Sequence, residues 1–588
     1  MARGFAVPAL LAFGCQFARP LDVQPDAGPD APTDAPTDAR PELVQGRSTF
    51  RHVFGDQAVD IPFDLTVLTV QALIPSGSAF ATAAGVAHAD GTFEIDNVQP
   101  GVQYLLRLGR SYYVTDQHAL DFHTIIPARA GVATATQPTA VTFQIAGTAD
   151  FQAGDQLIAA SQSADAQAWL TTNIGQASTL ATVDWMTSAT ATFGGVGHIP
   201  SPAADDDFWV LRYRTNQAQG TYASTIIEAT DISSAALQDG QAATISATLA
   251  APARSLTLPD AISLMPYAIG HSAFTRADSA GVECAAVRAR TTYRGADGGA
   301  LGGLSIMTLA HQPPIPATLD LSAPVGDPFP QDWTRFCVIR HRRTRALRVP
   351  GTTIAWKMGS GTERVAEPHA VVGTPIQPPT SIRVSGQDGD RGGLLRNNGA
   401  PVVISWTGTA QATQYNVTVY QLRAQGGATR VTLLATVTTP APTLTIPVEL
   451  LAGSDFLTFT VSAISATNAY ASGALFPEGV PGGSASATTA MFRWSATCGD
   501  SIPDVGEACD AGAETAACDA DCTAVQCGDG VRNVAAGELC DSIVDTPGCD
   551  SDCTANTCGD GYWNVETEQC DDGGTAPGDG CSATCTNE

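Results

Sequence analysis

Lysine is almost missing from this 588-residue chain, Lys357 being the single one, so its basic side chains are nearly all arginine. Histidine does not recur after His369, and no Cys-x2-Cys pair occurs anywhere. Those two absences argue against a zinc ribbon near the C-terminus. Without a Gly-Lys pair there is no P-loop, and neither a dinucleotide fingerprint nor His-Glu-x-x-His is present. Gly270-His271-Ser272-Ala273 begins like a hydrolase nucleophile elbow, but Phe274 replaces the second glycine that the tight turn needs. His118 and His123 lie five apart, which on a strand places them on opposite faces and opposes shared metal ligation. No apolar run is long enough to span a bilayer. Residues 498–588 carry -19 of the chain's formal net charge of -28 and repel nucleic acid, so no nucleic-acid partner is expected.

What is abundant is cysteine, and it is concentrated. Twelve of fifteen cysteines lie between Cys498 and Glu588. They fall as Cys498, Cys509, Cys518, Cys522; Cys527, Cys540, Cys549, Cys553; and Cys558, Cys570, Cys581, Cys585. The unit is C-x(10 to 12)-C-x(8 to 10)-C-x3-C with x4 between units, giving repeats at 498–522, 527–553 and 558–585. So few large apolar residues accompany them that burial cannot offset the ordering entropy, and covalent or metal staples must. Two bridges per unit is the natural assignment, with three connectivities open in each. The tail also holds 20 Asp and Glu against Arg532 alone, a net of -19. Asp560, Asp571, Asp572 and Asp579 gather in the third repeat as hard oxygen ligands suited to calcium; the alternative is that they are solvated turn residues.

On Cys558-Gly559-Asp560-Gly561, Cys570-Asp571-Asp572-Gly573 and Gly578-Asp579-Gly580-Cys581-Ser582, the tail resembles the cysteine-rich repeats of surface proteins from myxobacteria and their relatives. The resemblance covers about a sixth of the chain and implies an extracytoplasmic bacterial protein.

The N-terminus supports the same compartment. Arg3, an apolar run from Phe5 to Phe13, and Gly14-Cys15 resemble a bacterial lipoprotein signal over 1–15, which makes Cys15 the lipid-attachment candidate. An ordinary secretory signal with an incidental cysteine, or a misplaced start, is the alternative. Residues 16–42 are rich in Pro, Asp and Ala and read as a disordered tether reaching at most about 80 Å.

From 43 to 497 the pattern is strand-like throughout: short Val, Ile, Thr and Leu runs such as Leu65 to Leu73, Thr92 to Ile95 and Val402 to Trp406, punctuated by Gly, Pro and Asp. The expected fold class is all-β, a string of β-sandwich domains followed by the disulfide-rich, loop-rich tail. Val44-Gln45-Gly46, Asp90-Gly91-Thr92-Phe93-Glu94-Ile95 and Val98 to Tyr104 make 43–130 resemble a carboxypeptidase-regulatory-like sandwich, with Asp-Gly and Pro-Gly as hairpin turns. In that family the domain is structural. Pro401 to Trp406, Tyr415 to Val419 and Leu457 to Ala463 make 379–494 resemble a fibronectin type III domain, with Trp406 and Tyr415 in its core. Regions 131–252 and 253–378 are expected to be β domains without a family assignment. Cys284 and Cys337, alone in the latter, are expected to pair.

One basic cluster stands out in an acidic chain. Arg340, Arg342, Arg343 and Arg345 sit close enough for alternation to put several guanidinia on one face, able to grip sulfate, phosphate or carboxylate. Its alternatives are an anionic polysaccharide or lipid-headgroup site, and a solvated face or contact with an acidic neighbour. The expected function is a non-enzymatic bacterial surface lipoprotein with an adhesive or matrix role, partnered by the membrane through its lipid and by polysaccharide or protein at the cell surface. No cofactor other than calcium is expected. The expected location is outer-membrane-anchored, at the cell surface or in the periplasm, otherwise secreted. The alternatives are an accessory or receptor-like protein for a specific protein or glycan, and an enzyme whose site lies within 131–378.

Overall fold

In a computed structural model, the structure describes 17–19 and 42–588 except 56, 78, 149, 171–176, 192–196, 219, 269–276, 289–302, 314, 372–373, 397–399, 452–453, 466–482, 496–507, 512–513, 520–521, 528–530 and 543–544. The described chain is all-β. Helix is confined to the four-residue turns Trp185–Ser188 and Met265–Ala268 and to short 3-10 turns. No described helix is long and apolar enough to cross a membrane.

In the first unit, Val44–Phe54 lies between Ala119–Ile126 on one side and Gln57–Pro62 and Thr92–Ile95 on the other. A second layer runs Ala79–Ala87, Val70–Ser76, Tyr104–Leu108, Ser111–Thr115. Phe93 and Ile95 point inward by strict alternation and join Val44, Val70, Leu106 and Phe122 in the core. Gly91, at φ 83°, makes the expected Asp-Gly turn, and Asp90 stabilises it by accepting from the Thr92 amide at 3.0 Å. Gly46 is required by packing: a Cβ there would stand 2.4 Å from the Phe93 ring.

Three details differ from expectation. Leu65–Val67 is a 3-10 turn, because the Asp64 carboxylate caps the Thr66 amide at 2.9 Å, and the strand begins only at Val70. Pro100-Gly101 does not fold Thr92–Ile95 back on Tyr104–Leu108. It carries the chain from one layer to the other, since Tyr104–Leu108 pairs with Val70–Ser76. Within the expected tether, Phe17–Arg19 forms a short strand on the edge of Ala119–Ile126.

In the next unit Ala140–Ala146 is central to a three-stranded sheet, antiparallel to Ser178–Asp184 and parallel to Ala243–Thr248. Its inner residues Val141, Phe143 and Ile145 pack with Trp185 and Phe208. The last sandwich sets Thr380–Val384, Val402–Thr407 and Thr443–Ile446 against Gln414–Gln425, Ala428–Thr439 and Phe456–Ser465. Trp406 and Tyr415 are buried in its core, edge to face at 5.1 Å, and Leu457 is fully buried there as well.

Strand pairing also crosses the boundaries placed at 252/253 and 378/379. Thr221–Asp231 pairs with Leu304–His311, and Trp356–Ala366 pairs with Gly483–Thr488. Ala428–Thr439 of the last sandwich pairs in parallel with Ser111–Thr115 of the first, and Leu73, Leu105, Tyr112 and Val114 share its apolar core. The ladders of the described strands therefore join the second unit, the 253–378 region, the last sandwich and the first unit in one continuous path. That path is branched, as at the three partners of Val44–Phe54, and open at its ends, so it closes no barrel. Val53 of the first unit packs with Ala285, Val287, Phe336, Val338 and Val365 of the 253–378 region. At about 1 to 2 kcal/mol per buried side chain, such a contact outweighs any single exposed ion pair.

Candidate functional site

The tail is where sequence chemistry is densest, and its bridges come out nested. Cys527–Cys553 encloses Cys540–Cys549, and Cys558–Cys585 encloses Cys570–Cys581. Cys509–Cys518 repeats the inner bridge, and Cys522 is disulfide-bonded too. Of the three connectivities open in each repeat, the structure thus selects first-to-fourth and second-to-third in the two repeats where all four cysteines are described. Among the described tail residues the only buried apolar side chains are cysteines, while Val534, Leu539, Trp563 and Val565 are exposed. Sulfur is the core. Cys15 and Cys498 lie outside the described residues, as does the Gly270–Phe274 stretch.

The four aspartates of the third repeat are brought near one another but serve the backbone first. Asp571 accepts from the amides of Gly559 at 2.6 Å, Gly561 at 3.0 Å and Gly573 at 2.7 Å. Partial burial pushes its carboxyl upward, but N–H donation from Gly573, Gly559 and Gly561 wins and holds it below the usual carboxylate range. Gly559 and Gly561, at φ 88° and 91°, permit that wrap, and a Cβ on Gly559 would lie 2.6 Å from the Gly574 carbonyl. Asp560 accepts from Tyr562 and Thr557, and Asp572 from Gly574. Asp579 reaches within 3.5 Å of where a Cβ on Gly574 would be. Oxygens of Glu568 and Asp571 also come within 4.8 Å of each other. Cys585, beside them, is spent in its bridge.

Cys284 and Cys337 pair as expected, directly opposed on neighbouring strands, both fully buried. The arginines lie just beyond them on Thr334–Leu347. Alternation separates the four, Arg340 and Arg342 on one face and Arg343 and Arg345 on the other. Arg340 lies between Glu283 at 2.7 Å and Glu363 at 2.8 Å, one from each flanking strand. Arg345 donates to the Asp390 carbonyl at 3.1 Å, with that residue's carboxylate at 3.6 Å. Arg343 is half-buried and Arg342 exposed. Arg340 is thus engaged by acids of its own 253–378 region, and Arg345 by Asp390 of the next.

Two polar centres were missed in the sequence. Asp205-Asp206-Asp207 splits three ways: Asp205 takes Arg288, Asp206 grips Arg129 through both oxygens at 2.7 and 2.8 Å, and Asp207 accepts from the Gln162 and Ser163 amides at 2.9 and 2.8 Å. Burial pushes the Asp207 carboxyl up, with the Ser163 hydroxyl and the two amides pulling against it. The run therefore clasps the end of the first unit and the 253–378 region onto the second. Three consecutive aspartates were a visible signal, but their partners are distant in sequence. The other centre is Arg212, fully buried, donating to Asp155, Asp150 and Glu228 with its guanidinium 4.0 Å from the centre of the Phe151 ring. Asp155 also accepts from Arg214 at 2.9 Å. Burial would raise the Asp155 carboxyl, yet the Arg214 and Arg212 hydrogen bonds bring it down to about 2.

An open groove of about 560 Å³ crosses one end of the three-stranded sheet, lined by Gln144, Ser178, Leu180, Ser246 and Thr248. Its lining offers hydroxyls and an amide beside the apolar Ile145, Ala146, Leu180 and Ala247, a surface able to bind and orient, with no carboxylate or imidazole among the described lining residues.

No protein-family model matches the chain, and no curated protein does. Among solved structures, the chain is similar to a tetra-tandem repeat in the extending region of a large adhesion protein, at 11% identity over 77% of this chain and 100% of that one. The TM-score of 0.10 is too low for that likeness to carry an argument.

Proposed function

We propose that the chain is a non-enzymatic bacterial surface lipoprotein with an adhesive or matrix-structural role, anchored in the outer membrane through lipid on Cys15. The observation that carries it is the tail, whose described buried apolar side chains are all cysteines and whose described bridges are nested within repeats. Such a segment holds its fold only where disulfides persist, which means outside the reducing cytoplasm. The body supports the same reading: sheets that share strands across units, with ion pairs clasping them, suit a stiff element that bears load or presents a surface. Within this proposal the tail belongs with the myxobacterial cysteine-rich repeats, 43–130 with carboxypeptidase-regulatory-like sandwiches and 379–494 with fibronectin type III domains. Replacing Cys15 by alanine tests the anchor: the variant is expected in the soluble fraction, and continued membrane association overturns it.

The groove along Gln144, Leu180 and Ser246 favours a second reading, a receptor-like protein for one glycan or protein partner. Capture of one partner by the purified full chain, abolished by Leu180→Glu, supports that reading; capture of many partners independent of Leu180 supports the first. Calcium in the third repeat is a further proposal, resting on the approach of Glu568 and Asp571 oxygens. Calorimetry with calcium on the full chain and on Asp571→Ala, Asp572→Ala and Asp579→Ala decides it: absence of a binding heat, or a heat indifferent to these substitutions, removes the site.

A further inference from the structure

Asn533 and Asn564 hold equivalent places, each six residues after the cysteine that opens its repeat, Cys527 and Cys558. Both are 0% exposed in a tail whose other long side chains are mostly at the surface. Each reaches out of its own repeat. The Asn533 Nδ2 donates to the carbonyls of Thr515 at 2.8 Å and Cys518 at 3.1 Å and to the Asp519 carboxylate at 2.8 Å. The Asn564 Nδ2 donates to the Thr546 carbonyl at 2.9 Å and to the Asp550 carboxylate at 2.6 Å. Asp519 and Asp550 directly follow the third cysteine of their repeats and are themselves 0% exposed.

The other end of each asparagine is fixed at home. Its Oδ1 accepts from Ala536 at 2.8 Å or Glu566 at 3.1 Å, and its amide donates to Glu538 at 2.7 Å or Glu568 at 3.0 Å. With donors forward and acceptor back, only a carboxamide satisfies both sides. A buried carboxylate needs such partners, and losing one costs far more than an exposed hydrogen bond gains. Every described disulfide of the tail closes within a single repeat, so these bridges fold the repeats without joining them.

We propose that Asn533 and Asn564 are plugs that lock each repeat into a socket on the one before it, so that the tail is a directional, rigid stack. A socket consists of the aspartate after the third cysteine and the carbonyls of the preceding turn. The partner it fits is another unit bearing asparagine six residues after its first cysteine. The third repeat carries Ser582 at the socket aspartate's position, so it does not repeat the code.

Hydrogen exchange read by mass spectrometry on the full chain tests this with Asn533→Ala, Asp519→Ala and the double variant. Bridge mapping confirms that Cys509–Cys518, Cys527–Cys553 and Cys540–Cys549 are intact. Each single change is expected to speed exchange at 515–519 and 533–538 by about ten- to hundredfold. The double variant is expected to go no further than the worse single one, because both remove the same interaction. Unchanged exchange in Asn533→Ala, or effects that add in full, overturns the proposal. If an alanine variant scrambles its bridges, Asn533→Asp replaces it: a carboxyl facing Asp519 should hold the joint closed at low pH, where the pair keeps a proton, and open it as pH rises and both ionise. An opening indifferent to pH overturns the proposal equally.

Discussion

Reduction with dithiothreitol should divide this chain in two. In the tail, the nine-residue separations of Cys509–Cys518 and Cys540–Cys549 give about 2.6 kcal/mol each on the chain-entropy model. The separations of 26 and 27 at Cys527–Cys553 and Cys558–Cys585 give about 3.5 kcal/mol each. Nothing replaces that contribution, since the only buried apolar side chains described there are the cysteines themselves. The body differs. Its one described bridge, Cys284–Cys337, contributes about 4 kcal/mol over a separation of 53, but large apolar clusters remain without it. Both of its cysteines are fully buried, so reductant without denaturant should not reach them. Alkylation of new thiols, far-ultraviolet dichroism and amide exchange give the assay together. The expected result is label on Cys509 to Cys585, loss of protection across 508–588, an unlabelled Cys284–Cys337 pair and strand signal nearly unchanged. Loss of tail and body protection in one transition refutes the reasoning, and so does a tail that stays protected when its thiols are labelled.

Two further predictions concern the buried charges. Arg212→Ala should cost about 3 kcal/mol in chemical denaturation, because the fully buried Asp155 carboxylate is left with Arg214 as its guanidinium partner; a loss below about 1 kcal/mol would falsify the assignment. Asp155 is held at about 2 when folded, against about 3.9 unfolded, so its stabilisation of about 3 kcal/mol is complete above about pH 5 and is lost as pH falls through 2. Asp155→Asn should flatten that part of the stability–pH curve, and an unaltered acid slope counts against the ion network.

Local chemistry was legible in the sequence. The Asp90-Gly91 turn, the alternating strand Thr92–Ile95, the burial of Trp406 and Tyr415 and the pairing of Cys284 with Cys337 follow from residue types at short range or from counting. What escaped was set by distant partners. The pattern of Thr221–Asp231 marks a strand but not that Leu304–His311 lies beside it, and Ser111–Thr115 carries no sign of its parallel neighbour over 300 residues later. The arginine run announced anion chemistry, yet Glu283 and Glu363 reach Arg340 only because their strands flank its own. Asn533 and Asn564 recur at a fixed place in the repeats, but beside so many cysteines and aspartates an uncharged amide gave no reason to be singled out.

The proposed function places this chain outside the cell's reducing interior on a lipid anchor. Protease treatment of intact cells, with mass spectrometry of what is released and of the retained Cys15 peptide, decides it. Peptides from 42–588 are expected to be shed from unbroken cells, and Cys15 to carry acyl chains. Full protection of the body until the outer membrane is opened, together with an unmodified Cys15, contradicts it.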